Sequence, residues 1–547
     1  MGDVLLRTLE LAGMYAALAA PIIVLALVAP SLRALRDDPA AREAARGLAA
    51  SAARWGAGAA ALAGLAVLVQ IPSRVADIEE TTVLAGIDPA LVARFVSGTV
   101  TGRLGLLETL GLLAAALALT QARRDPLRAV GAWWATVAFA GAALVARSLT
   151  GHAAAQPAGR GIALVGQMVH LFAGAAWMGV VGQLLAARLI LRRATAPGAR
   201  RLVATMVARF SPLAATAAGL LAASGLIAAG RYLSTPAAIL TSAYGLTLLT
   251  KLALTVPLLA GAFVNYRLVR PALRERGDPG PALARLSRAL ELEALAGLLV
   301  ISVAGVLAAV APPSADGALR LTGAEVRALA TPRLPATSID DPMTWIGAPT
   351  RTVGDLRYAE FTHAWSGIVV CLLGLAWLVQ QRGGRLGRSV GWLWPVILLP
   401  FAVFIAVASD PEFWPLGPVA LSVGIGNPSV IGHRLGAGIV LLLAWLGWRA
   451  MARGAPDQPL GRALPIVLII GSLLFLGHVH QGFAGTDRLE TLIGVQHTVL
   501  GALGLLAGVV RWLELREFLP RRVAGVLWPS LIVALGAVMA FWYREVV

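Results

Sequence analysis

The sequence predicts an all-α, polytopic membrane protein of about fourteen transmembrane helices in two bundles, with both termini outside. Three observations predict it. Of 547 residues, 58% are hydrophobic and only 14% are charged, where a soluble chain carries about a quarter charged. Apolar runs of roughly 18 residues or more recur along the whole chain, long enough to cross the hydrocarbon core. Arginine is rich in every second loop between those runs. In lipid the backbone polar groups must be satisfied within the protein, so runs this long form helices and not barrel strands.

The spans are expected near 9–31, 53–71, 104–122, 127–148, 161–187, 202–230, 243–268, 289–311, 359–380, 390–408, 430–450, 463–482, 490–512 and 523–543. The first lacks a basic leader and a small-residue cleavage site, so a retained span is expected there and not a signal peptide. Odd-numbered loops are basic, as in Arg33, Arg42 and Arg46 of the first or Arg192, Arg193, Arg200 and Arg201 of the fifth. Even-numbered loops are poor in Arg or balanced by acids, as in "DIEETT" and "ASDPEFWP". This places the odd loops in the cytoplasm and both termini on the outer side. The net charge of +17 is thereby assigned to orientation in the bilayer, with no nucleic-acid partner. The longest polar stretch divides the chain into an eight-span module over 1–313, an outer linker loop over 314–358 and a six-span module over 359–547. The single cysteine, Cys371, allows neither an internal disulfide nor a Cys-pair metal site. There is no GxxxxGK[ST] segment, which excludes a P-loop ATP-driven pump, and no enzyme is expected.

All seven histidines fall on the outer half of this topology. His152 is in an outer loop and His170 in the outer half of the fifth span. His363 and His433 lie just inside the ninth and eleventh spans, and His497 about two turns into the thirteenth. His478 and His480 close the twelfth in "GHVHQG", where Gly482 lets the chain turn so that two rings can reach one centre. One histidine at a helix end is ordinary structure. Four spans of one module each contributing imidazole point instead to a transition-metal site, because ionisable groups inside membranes usually serve function. In "GQMVHLFAGAAWMG", Met168, His170 and Met178 offer thioether and imidazole, a set that suits Cu(I), though methionine is also a common core filler. Haem b held by two histidines on different helices, drawn from His433, His478 and His497, is the alternative. Among buried charges, Lys251 is the only lysine. Glu108 is its expected partner, and Arg209 is expected to pair with Glu293; these are ion pairs or transport-path residues.

The segments "VHLFAGAAWMGVV", "RFSPLA", "SGLIAAGRYL", "YGLTLLTKLAL", "NYRLVRPAL" and "LELEALAGLLVISVAGVLAAVAPP" follow one another over 161–313. Together they resemble the CopD-type copper resistance domain of bacterial inner membranes. The resemblance implies copper import and homeostasis between periplasm and cytoplasm, with a periplasmic copper-binding protein as partner. It also implies copper ligands at His170 and, less directly, at Met168, Met178 and His152. The "YGLTLLTK" lysine, Lys251, belongs to the same pattern. The segments "DPEFWPLGP", "GHRLGAGIVLLLAWLGW", "GHVHQG" and "QHTVLGALGLLAGVVRWLELR" resemble an extension found on some proteins with that domain. Within it, His363, His433, His478, His480 and His497 are the expected metal residues. A copper-delivery factor for respiratory oxidase assembly would carry the same ligands.

Overall fold

The computed structural model describes residues 2–35, 38–79, 85–155, 159–273, 280–314, 319–339, 341–346, 352–424, 427–454, 459–476 and 487–546. Among them there is no β-strand beyond an isolated bridge between Phe413 and Val419. Thirteen helices are long and apolar enough to cross a membrane. They are α1 Val4–Ala34, α2 Pro39–Ala76, α3 Val100–Ala122, α4 Val130–Ser148, α5 Arg160–Ala186, α6 Pro197–Tyr232, α7 Ala243–Ala272 and α8 Gly280–Leu307. After the long loop come α9 Val353–Gln381, α10 Gly384–Ala408, α11 Val430–Ala452, α13 Arg488–Leu515 and α14 Arg521–Trp542. The expected twelfth span is a shorter apolar helix, α12 Ala463–Leu476. The "GHVHQG" motif, with His478 and His480, lies outside the described residues. The chain is a polytopic α-helical membrane protein.

Several helices outrun their apolar stretches. Residues 39–52 are rich in alanine, a strong helix former, and the Asp38 side chain accepts from the Ala41 N–H at 3.1 Å with Pro39 in the first turn. That cap starts α2 well before the hydrophobic run begins. Four spans contain a π-helical turn, among them Ala175–Gly179 in α5 and Val538–Trp542 at the end of α14. Each such turn rotates the helix beyond it relative to the part before.

The chain divides into two compact units. The first comprises Gly2–Tyr232 and Lys251–Ala309. Within it α1 packs against α2, α4, α5 and α8, and the contact is made by small residues. A Cβ on Gly13 would lie 2.5 Å from the Ala59 carbonyl oxygen of α2, and one on Gly179 2.4 Å from that of Tyr15. In lipid, helices associate by close packing and not by expelling water, so small residues at the crossings set how deeply they engage.

The second unit comprises Leu233–Thr250 and Val310–Val547. One close crossing in it joins α9 and α14. A Cβ on Gly536 would lie 2.4 Å from the Cys371 N and 2.6 Å from the Gly367 O. The loop expected as a linker is tied down in this unit. A capping box, Thr322 with Glu325, opens the helix Gly323–Ala330. The Leu321 N–H donates to the Thr241 O at 2.7 Å, the Arg333 N–H to the Phe541 O at 2.8 Å, and the Trp365 indole to the Ala336 O at 3.0 Å. Arg488, at the start of α13, pairs with the Glu325 carboxylate. Burial pushes the Glu325 carboxyl up, but the Thr322 backbone and hydroxyl and the Arg488 guanidinium outweigh it and hold it below the ordinary glutamate value.

Two predictions follow from the packing and from this strap. Gly536→Leu should destabilise the protein by about 1–3 kcal/mol through overpacking, read as a lowered unfolding temperature in detergent. Gly438→Leu, whose added Cβ meets nothing within 4 Å, should leave that temperature nearly unchanged. Because Glu325 titrates lower folded than unfolded, its hold on the strap is complete above the ordinary glutamate pKa and is lost as pH falls through the lowered one. Hydrogen exchange of residues 322–331 should therefore accelerate in acid, and in Glu325→Gln already at neutral pH.

Candidate functional site

The second unit brings two of the expected histidines together. His363 lies on α9 and His497 on α13, with ring centroids 5.7 Å apart and planes at 79°. Each ring is anchored on its own helix. The His363 Nδ1 lies 2.8 Å from the Ala359 O, and the His497 Nδ1 lies 3.0 Å from the Ile493 O. A carbonyl only accepts, so Nδ1 is the donor in both rings and the lone pair sits on Nε2. That is the tautomer in which an imidazole ligates a metal through Nε2. His497 is 2% exposed. Phe475 stacks near it at 5.9 Å, and Tyr543 stacks flat on His363 at 4.0 Å.

Tyr543 reaches His363 because α9 and α14 touch backbone to backbone one turn further on, at Gly367 and Ala540. The stretch just beyond α14 is locked over the two rings. The Gln496 side chain, next to His497, donates to the Arg544 O at 2.6 Å and accepts from the Arg544 N–H at 2.7 Å. The Tyr543 hydroxyl donates to Glu545 at 2.8 Å, and the Glu545 and Val546 N–H groups donate to Glu360 at 2.7 and 2.8 Å. Tyr543, Arg544 and Glu545 are all buried.

His433, near the start of α11, has a different second partner. Its Nδ1 lies 2.9 Å from Asp410 Oδ1, just past the end of α10. Asp410 is buried, and its Oδ2 has no hydrogen-bond partner. A carboxylate behind an imidazole orients the ring and raises its basicity toward a ligand on the far nitrogen. Among the described residues, no group of three His, Cys, Asp or Glu side chains stands ready to hold a metal ion. The described site is an imidazole pair with a His–carboxylate pair nearby, and His433 is within electrostatic range of His497.

In the first unit His170 is anchored by the same logic. The Ser224 hydroxyl donates to the Leu220 O, so it accepts from His170 Nδ1 at 2.9 Å and leaves the lone pair on Nε2. Lys251 lies within electrostatic range of His170. A Cβ added on Gly297 of α8 would stand 3.5 Å from Met178, which lies in the π turn. Met168 is two residues from His170, a spacing that sends the two side chains to different sides of a helix. His152 stands edge-on to Tyr232 with centroids 6.3 Å apart.

The two expected ion pairs are not the ones that form. Glu108 faces Glu10, Arg147 and Arg74 and not Lys251. Glu293 accepts from the Asn265 amide and lies beside Trp177, while Arg209 is exposed. In neither case are the two helices close neighbours: α3 packs chiefly on α2 and α4, and α8 on α1, α5 and the π turn of α7. Glu10, Asp410 and Tyr543 were missed from the sequence. Glu10 and Asp410 are acids beside or inside apolar runs, a signal open to reading, whereas nothing local marks Tyr543.

Fold and site together define a polytopic helical membrane protein that carries half-buried and buried imidazoles on its spans. Residues 204–307 match the family model described as copper resistance protein D. The copper transport protein CutJ of Bacillus subtilis (strain 168) is 26% identical over 257 residues, which is 47% of this chain and 45% of that relative. The match thus spans less than half the length of the relative. No solved structure matches. The family model covers most of α6 together with α7 and α8. Of the candidate site residues expected from the sequence, Arg209, Lys251 and Glu293 fall within it, and every histidine falls outside.

Replacing Tyr543 tests the cover over the imidazole pair. Tyr543→Phe keeps the stack and loses the Glu545 bond, at a cost of about 1 kcal/mol. Tyr543→Ala should cost about 3 kcal/mol or more. It should also open His363 and His497 to diethylpyrocarbonate, mapped by mass spectrometry, where the wild type is protected.

Proposed function

We propose that this chain is a copper transporter of the bacterial inner membrane, importing copper from the periplasm for homeostasis and resistance. The observation that carries the reading is the pair His363 and His497, the first half-buried and the second buried, each with Nδ1 against a carbonyl of its own helix. Imidazole alone does not choose among transition metals. Copper is favoured because the 204–307 segment matches a copper resistance family and a relative is named as a copper transporter. A metal between two imidazoles sets their centroids roughly 6 Å apart, given metal–nitrogen bonds of about 2 Å. The observed 5.7 Å is close to that spacing. Asp410 and His433 supply a further donor next to the pair, and His478 and His480 are further expected ligands. His170, with Lys251 beside it, is the expected copper residue of the first unit.

In this reading copper is cargo, received from a periplasmic copper-binding protein. With no P-loop in the sequence, its movement is downhill or coupled to an ion, and the chain acts as a transporter and not an enzyme. A bis-histidine haem, drawn from His433, His478 and His497, is the alternative reading, and an optical spectrum separates the two.

The test is a Cu(I) titration of purified protein against a competing chromophoric chelator, with an optical spectrum of the same sample. Wild type should bind copper and show no Soret band. Combined His363→Ala and His497→Ala should weaken the tightest binding at least about 10-fold. Unchanged affinity in the double variant overturns the assignment of the pair, and a Soret band that shifts on reduction overturns the copper reading of this unit.

A further inference from the structure

The first unit holds a second polar cluster that the copper reading does not use. Four helices contribute to it near one end of the unit. Glu10 of α1 is fully buried and pairs with Arg147 of α4. Gln70 of α2 donates to Glu10 at 2.8 Å, and Arg74, one turn on, donates to Gln70 at 3.1 Å. Arg74 reaches α3 at Gly105, where an added Cβ would stand 3.7 Å from its guanidinium. Glu108, one turn from Gly105 on α3, is 1% exposed and faces the Glu10 carboxyl. Its Oε1 is buried with no hydrogen-bond partner.

Two carboxylates cannot hydrogen-bond to each other, because both only accept. Two carboxyl groups in contact away from water share one proton. We propose that Glu10 and Glu108 form a proton-binding site inside the membrane-spanning region, with the proton on Glu108 donated to Glu10. The surrounding charges make that proton exchangeable. With it, the cluster carries one carboxylate against two guanidiniums; without it, two carboxylates face the same two guanidiniums and the net charge is zero. Binding converts the Glu108 carboxylate to a carboxylic acid, and release returns the proton to water. The charged groups facing Glu108 from the packed helices are Glu10, Arg74 and Arg147. The short helix Pro89–Gly98, which also packs on α3, turns Arg94 outward to Glu79 at the surface. A cluster built only to hold helices together would pair each acid with a base. Here Gln70 stands between Glu10 and Arg74, and the second acid meets the first.

The proposal is independent of whether copper moves. It is tested on full-length protein in nanodiscs by infrared spectroscopy from acid to alkaline pH, with exchange into deuterium oxide. Wild type should show a protonated-carboxyl band that shifts on deuteration and fades as pH rises. Glu293 can contribute a band of its own, so the assignment rests on the difference from Glu108→Gln, which should lack the titrating component. Glu10→Gln should shift it by removing the acceptor. Glu108→Asp keeps the carboxyl if the amide variant folds poorly, and should move the band without abolishing it. A wild-type spectrum with no carboxyl band at any pH, or a band unchanged in both Glu108→Gln and Glu108→Asp, would overturn the site and make the cluster a fixed ion quartet.

Discussion

The absence of water from the hydrocarbon core governs the structure. A backbone polar group left unpaired there costs several kcal/mol, so the chain spans as helices and each helix satisfies its own ladder. The same rule extends to side chains. Serines and threonines inside the spans turn their hydroxyls back to the carbonyl one turn earlier, as Thr109, Thr136, Ser148 and Ser472 do. His363 and His497 obey it as well, each with Nδ1 against the carbonyl one turn earlier.

Close backbone packing converts that preparation into a site. Gly367, one turn beyond His363, allows α9 to touch α14. Gly501, one turn beyond His497, allows α13 to close on Leu476 of α12. Glycines next to both histidines draw the helices together at the depth where the rings meet. The strap from the long loop and the stretch around Tyr543–Val546 then cover the pair through backbone hydrogen bonds. The site is therefore part of the helix packing and not an addition on a loop, which keeps the two rings in a fixed relation.

The comparisons and the geometry point to different parts of the chain. The copper resistance match falls on α6, α7 and α8, whereas the paired imidazoles lie in the second unit. Within the matched segment, Lys251 lies in electrostatic range of His170. Glu293, also inside it, is held by Asn265 at a π turn of α7. These buried polar groups in an apolar bundle are where the matched segment departs from plain helix packing.

Hydropathy alone determined the class, the run of apolar helices and most of their limits, because length and apolarity are local properties of a span. Thirteen of the fourteen expected spans reach crossing length, and α12 is shorter among the described residues. The histidines were also legible as candidates, since an imidazole inside an apolar run is conspicuous without any partner. What the sequence could not determine was the pairing. Whether Glu108 meets Lys251 or Glu10, or Glu293 meets Arg209 or Asn265, depends on which helices become neighbours. That arrangement is set by glycine contacts, π turns and contacts distant in sequence. For the same reason Tyr543 and Asp410 emerged only in the tertiary structure. Their roles come from the residues they touch, and those residues lie on other helices.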